Sequence, residues 1–189
     1  MSLQSPYFFT SERLGFRNWT SEDLDELAAL CADPAVMKYF PATLTREESE
    51  AYLQRLQKHY DTYGYNYYAV ERLDNGEWIG LIGLAYQTYE VDFLPATDIG
   101  WRLKQSAWGK GYATEGAKRC LSHGFETLGL ERIVSTCVIQ NSPSENVMQK
   151  IGMTRMSEFD HPKLWDYPEN LRCVWYEMTP EADQIQRYS

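Results

Sequence analysis

The stretch Ala107-Trp108-Gly109-Lys110-Gly111-Tyr112-Ala113-Thr114-Glu115 constrains this chain more than any other. A short apolar run, Ile99-Gly100-Trp101-Arg102-Leu103, precedes it and reads as a buried strand. After it, Ala113, Ala117, Cys120, Leu121 and Phe125 recur at helical spacing, so a helix is expected from Ala113 to Phe125. A strand, a glycine-bearing loop and a helix start together form an anion cradle. Backbone N–H groups converge there, the helix dipole favours negative charge, and glycine lets a phosphate approach the main chain. Two alternate glycines are equally compatible with an ordinary tight turn. A Walker loop is excluded, because Lys110 lacks both the spaced glycine and the following Ser or Thr. A dinucleotide fingerprint is excluded as well, since its third glycine position holds Thr114.

The 189 residues suit one domain. Eighteen Lys and Arg against 27 Asp and Glu give a net charge of -9. That field disfavours nucleic acid and anionic membrane and steers mildly toward cationic partners. Cys31, Cys120, Cys137 and Cys173 are widely separated in apolar stretches and read as buried thiols of a reducing compartment. No metal-ligand spacing joins them to His59, His123 or His161. With no spanning-length apolar run and no signal-peptide pattern at Met1 to Pro6, a cytoplasmic location is expected.

Leu14 and Phe16 alternate as a strand. Thr20 and Asp23 form a capping box for a helix with Leu24, Leu27, Ala28 and Cys31 on its buried stripe. Pro34 and Pro41 bound a short segment expected to be helical, and Thr45 with Glu48 caps a helix running to about Tyr60. Tyr65 to Leu73 and Glu77 to Tyr86 flank Asp74-Asn75-Gly76, where Asn-Gly predicts a tight primed turn. Gly80 and Gly83 in the second arm signal close packing or a bulge. Arg132 to Ile139 is a further strand, followed by a helix from Asn141 to a C-cap at Gly152. Leu171 to Met178 is a last strand. The expected organisation is a leading extension (1–9), one α/β (α+β) domain (10–180) with a mainly antiparallel sheet, and a frayed tail (181–189).

Two segments together carry a family resemblance. Trp108 to Gly116 follows W-G-[KR]-G-[YI]-A-[TS]-E-[AG] throughout. Asn141, Ser144, Val147, Lys150, Gly152 and Met153 follow N-x-x-S-x-[RK]-V-x-x-K-x-G-[FM], with Asn146 in place of the basic residue. Both patterns, and Ser11 to Arg17, resemble the GNAT superfamily of N-acetyltransferases, in particular its RimJ/RimL-like branch. The resemblance implies a mixed, twisted sheet, flanked by helices, whose central strands splay apart around the pantetheine arm of acetyl-CoA. Those strands are 98–103 and 132–139. Backbone groups of Trp101 and Leu103 are implied to pair with the pantetheine, and Gly109, Lys110, Gly111, Tyr112, Ala113 and Thr114 to hold the pyrophosphate. Asn141 is implied to bond the pantetheine or the substrate side of the cofactor.

The implied reaction is acetyl transfer to an amine, either a protein N-terminus or a small molecule, by direct attack on the thioester. Asp98 is the best-placed carboxylate to take the amine's proton, directly or through water; the other reading is a surface strand carboxylate. A backbone N–H near Leu103 is placed for the oxyanion. Many members carry a Tyr where this chain has Met148, so Ser144 is the alternative proton source for the thiolate, or else a helix cap. Glu115 in the first helical turn reads as structural. His161, Tyr39, Phe40, Tyr86 and Tyr89 are candidates for the acceptor pocket, the bland reading being stronger for Phe40 and Tyr86. Monomer and homodimer both remain open, as do another acyl-CoA as donor and a CoA-binding regulatory module without catalysis.

Overall fold

The computed structural model describes residues 5–180; the expected tail, 181–189, lies outside them. Thr20 N–H donates to the Asp23 carboxylate at 2.7 Å, and Asp23 also receives two bonds from Arg17. This anchors a 3-10 turn, Ser21–Asp23, that leads into α1 (Leu24–Ala32). Helix α2 (Arg46–Tyr63) opens on the expected capping box, Thr45 Oγ1 accepting from Glu48 N–H and the Glu48 carboxylate from Thr45 N–H. It ends at Gly64, whose φ of 78° only glycine adopts cheaply.

Eight strands form one sheet: β1 (Phe9–Thr10), β2 (Leu14–Arg17), β3 (Tyr67–Arg72), β4 (Trp78–Gln87), β5 (Ala96–Leu103), β6 (Ile133–Val138), β7 (Thr154–Asp160) and β8 (Arg172–Met178). Their order is β1-β2-β3-β4-β5-β6-β8-β7, and only β5–β6 is parallel. One face packs Phe16, Tyr68, Ile82, Leu84 and Ile99 against Ala117, Cys120 and Leu121 of α3 (Tyr112–Ser122). Met148 of α4 (Ser142–Lys150) joins this layer. The other face packs Ala69, Trp78 and Leu81 against Leu27 and Cys31 of α1 and Leu53 and Leu56 of α2. A short α5 (Pro168–Leu171) precedes β8.

The long hairpin β3–β4 is present with both glycine signals used. Val70 pairs with Gly80 but Glu71 with Trp78, so Ile79 is an extra residue and β4 bulges there. At Gly83 a Cβ would collide with the Asn66 carbonyl and the backbone of Tyr67 and Tyr68.

Four local expectations need correction. The segment between Pro34 and Pro41 forms turns, tied by Met37 N–H to Asp33 O and Phe40 N–H to Met37 O, both 2.9 Å. Two prolines so close leave too few consecutive bonds to repay helix nucleation. The hairpin loop spans five residues, Leu73 to Glu77, and only Gly76 among them has positive φ. Asn75 stays at negative φ, its side chain accepting from Glu77 N–H at 2.9 Å, which replaces the primed turn by an Asx turn. Helix α3 runs only to Ser122 and continues as a π-helical turn, His123–Thr127. Strand β7 was not expected, because Thr-Arg-Met-Ser-Glu-Phe-Asp has no apolar alternation; it is an edge strand exposed along almost its whole length.

Because the three atoms nearest a Cβ at Gly83 are all backbone, none of them can swing aside for a side chain. Gly83→Ala should cost about 1–3 kcal/mol or more by overpacking. Gly76→Ala has open space and only the positive-φ penalty, about 1–2 kcal/mol. Thermal and denaturant melts check the order: Gly83→Ala melting at or above Gly76→Ala would contradict this packing.

Candidate active site

The ladder between β5 and β6 has two rungs, Thr97 with Ile133 and Asp98 with Val134. Beyond them the strands separate, and Ser135 Oγ reaches across to the Ile99 carbonyl at 2.9 Å. Strand alternation then aims the backbone groups of Trp101 and Leu103 to the same side as Ile99, into the gap. Gly100 and Arg102 pair the other way, with Gly83 and Leu81 of β4. Leu103 carbonyl is occupied by Trp108 Nε1–H at 2.8 Å, which ties the glycine loop to the strand end. Trp101 N–H and C=O and Leu103 N–H are left facing the gap, as an added strand would require.

Gly109 and Gly111 hold φ of 71° and 82°, and Gly111 caps α3 with no side-chain hydrogen bond to its first turn. The early N–H groups of an eleven-residue helix therefore point at the cavity with the positive end of its dipole. Arg13 braces the loop, Nη1 donating to the Lys110 carbonyl at 3.1 Å and Cζ lying 4.5 Å from the Tyr112 ring centroid. Glu115 holds Arg13 in turn, accepting from its Nε at 2.6 Å and its backbone N–H at 2.8 Å, and from Ser11 Oγ at 2.7 Å. These bonds hold the Glu115 carboxyl below its ordinary pKa despite its burial. Glu115 is thus structural, and Arg13 is the site residue that sequence reasoning missed; its place in the Ser11 to Arg17 match was the available signal.

The gap and the loop open into one cavity of about 880 Å³. Asp98, Trp101, Leu103, Gly109, Gly111, Tyr112, Ala113, Thr114, Asn141 and Ser144 all line it; Lys110 does not. Cys137, expected to be buried, lines it too and is half-buried. Tyr39, Phe40 and His161 are in the wall, whereas Tyr86 and Tyr89 are outside it, Tyr89 packing on His161 at 4.6 Å. His161 Nδ1 accepts from Lys163 N–H at 3.2 Å, and burial lowers its pKa.

Asp98 sits where the two strands part. Its Oδ1 accepts from Tyr67 Oη at 2.6 Å and from Gln87 Nε2 at 3.3 Å. Burial pushes its carboxyl from 3.8 up to about 6, against the opposing pull of those two donors. Burial and the neighbouring Asp98 raise Tyr67 well above 10, so Tyr67 stays protonated and keeps donating. Asn141 caps α4, its Oδ1 accepting from Ser144 N–H at 3.2 Å. The cap is therefore Asn141, and the Ser144 hydroxyl is not committed to it. Met148 is buried, and the nearby Tyr176 hydroxyl donates to Glu145 at 2.7 Å outside the cavity wall.

These residues fit coenzyme A. Free strand donors match a pantetheine amide, and uncapped helix N–H groups between two positive-φ glycines match a pyrophosphate. Among the described residues no cluster of His, Cys, Asp or Glu could hold a metal ion, and no helix is long and apolar enough to cross a membrane.

Comparison with known proteins points the same way. The family described as acetyltransferase (GNAT) domain matches residues 13–154. An uncharacterized N-acetyltransferase of Bacillus subtilis, YnaD, is 33% identical over 153 residues, 79% of this chain and 84% of that protein. The crystal structure of a GNAT-family acetyltransferase from Bacillus anthracis superposes with a TM-score of 0.73 at 28% identity, covering 90% of this chain and 96% of that one. Spermidine N-acetyltransferase from Vibrio cholerae, in complex with CoA and spermine, shares the fold with a TM-score of 0.70 at 16% identity, covering 92% and 98%. The family match over most of the chain and the YnaD relative together show that the chain belongs to the GNAT acetyltransferases, as an N-acetyltransferase.

Proposed function

We propose that this protein is a RimJ/RimL-like N-acetyltransferase that moves the acetyl group of acetyl-CoA onto a primary amine, of a small molecule or a protein N-terminus, by direct attack. The observation that carries the reading is Asp98, a carboxylate with a pKa near 6 at the point where β5 and β6 part. The branch rests on the unbroken Trp108 to Gly116 pattern. A solved relative in fold that holds CoA and spermine is consistent with an amine acceptor.

Acetyl-CoA supplies an activated thioester. Backbone groups of Trp101 would hold its pantetheine arm, leaving Leu103 N–H to the acetyl group, and the backbone of the loop from Gly109 to Thr114, with Asn141 across the gap, would hold the phosphate and pantetheine ends. Leu103 N–H, already fixed by the β4–β5 ladder, needs no reorganisation to stabilise charge developing on the acetyl oxygen. Asp98 takes the proton that the amine nitrogen loses as it attacks, directly or through water. Tyr67 and Gln87 fix the carboxylate while leaving it basic near neutrality. Ser144, with its hydroxyl outside the cap, donates to the departing sulfur.

Release of free thiol from acetyl-CoA in the presence of amines tests the reading. Wild-type turnover should fall as pH drops through about 6, and Asp98→Asn should lose most turnover together with that step. Stability supplies an independent sign. Since folding raises the Asp98 pKa, the folded state binds its proton more tightly, and wild type loses stability as pH rises from about 4 to 6. Asp98→Asn should lack that loss and melt at least as high as wild type at pH 7. A wild-type pH–rate profile retained in the variant would remove Asp98 from the chemistry.

Ser144→Ala should lower turnover while leaving acetyl-CoA affinity unchanged by calorimetry. Unaltered turnover would assign protonation of the thiolate to solvent.

A further inference from the structure

Arg102 shares a strand face with Asp98 and lines the same cavity. Its guanidinium carbon lies 4.0 Å from the Phe40 ring centroid and 5.6 Å from that of Tyr52. Nη1 reaches only the Cys31 sulfur, a weak acceptor, at 3.3 Å, and the buried Nε has no hydrogen-bond partner. Among the described residues no carboxylate stands within ion-pair distance of it. Other half-buried arginines are paired: Arg17 with Asp23 and Glu71, Arg132 with Glu177. In a chain with 27 acidic residues, a solitary guanidinium inside the cavity stands out. It is always charged, and its fork of donors matches a carboxylate in two parallel bonds. The aromatic rings offset part of its desolvation through cation–π contact; Nε is enclosed, and Nη2 makes no hydrogen bond to the described residues, so the Nη1–Nη2 end of the fork is the one left for a ligand.

We propose that Arg102 receives a carboxylate of the acceptor, so that the substrate is an amine that also carries a carboxylate. The inference rests on the acetyl-transfer reading above. The amine end lies toward Asp98, the acid end toward Arg102, with the rings of Phe40 and Tyr52 walling the latter. The overall negative charge does not oppose this, because surface acids beyond about 8 Å are screened at physiological salt. Arg102 lies against Cys31 and Phe40, on the face that carries α1, whereas the phosphate loop leads into α3 on the other; this favours acceptor over cofactor phosphate as the source of the anion.

The test uses thiol release from acetyl-CoA with glycine, γ-aminobutyrate, ε-aminocaproate and phenylalanine, each against the amine formed by removing its carboxylate. Rates are corrected for the fraction of neutral amine. At least one acid should exceed its partner in kcat/KM by about tenfold or more, the scale of one charge-assisted pair. That ratio should fall toward one in Arg102→Gln and recover partly in Arg102→Lys. A ratio near one for every wild-type pair, or one unchanged in Arg102→Gln, would overturn the proposal. Should Arg102→Gln fail to fold, the wild-type comparison still decides. Calorimetry with acetyl-CoA separates the two levels. Wild-type protein that does not bind it defeats the acetyl-transfer reading itself. Binding without preference for an acid, or with no acid turned over, defeats the carboxylate alone. A loss of acetyl-CoA affinity in Arg102→Gln without acid preference would give the guanidinium to a cofactor phosphate, which also overturns it.

Discussion

Everything at this site depends on two parallel strands that stop pairing after two rungs. Between Asp98 and Leu103 the chain must be rigid on one edge and unsatisfied on the other. The rigidity comes from β4, which pairs with β5 along its full length, from Gln87 opposite Ala96 to Gly80 opposite Leu103. Gly80 has no side chain to collide with the backbone of Arg102 and Leu103 on β5, and Gly83 has none to collide with the β3 side of the same strand. Side chains close the open edge at its two ends, Ser135 of β6 on the Ile99 carbonyl and Trp108 on the Leu103 carbonyl. Unpaired backbone donors away from bulk water cost free energy, so a sheet leaves them only where a ligand completes the pairing.

Charge is arranged around the same opening. The loop at Gly109 to Thr114 turns backbone N–H groups of a helix start toward the cavity, and its brace, Arg13, is neutralised by Glu115. Among the described residues no cation stands within ion-pair distance of Asp98, which is held by neutral donors, Tyr67 and Gln87. That choice keeps the carboxylate basic: an adjacent cation would have lowered its pKa below the useful range. One cavity therefore contains an anion cradle, a weakly acidic carboxyl and an unpaired guanidinium, each kept distinct by its immediate partners.

The parts of this arrangement that depend on local chain geometry were legible in the sequence. Gly109 and Gly111 announce positive φ, the Thr45–Glu48 box announces α2, and Gly80 and Gly83 announce a close approach. The parts that depend on distant residues meeting were not. Tyr67 and Gln87 lie 31 and 11 residues from Asp98, and nothing in their own neighbourhoods marks them as its partners. Arg13 reaches Glu115 across 102 residues. Phe40 read more readily as core, yet it sits under Arg102 because the turns between Pro34 and Pro41 swing it over the cavity. Strand β7 escaped notice because an exposed edge strand carries no hydrophobic period.

The central claim, that a half-open strand edge awaits the pantetheine, is tested most directly by amide hydrogen exchange along β5 with and without acetyl-CoA. Gly100 and Arg102, bonded to β4, should exchange slowly in both states. Trp101 and Leu103 should exchange quickly in the free protein and become protected when acetyl-CoA is added. Slow exchange at Trp101 and Leu103 before addition, or exchange there that acetyl-CoA leaves unchanged, would contradict it.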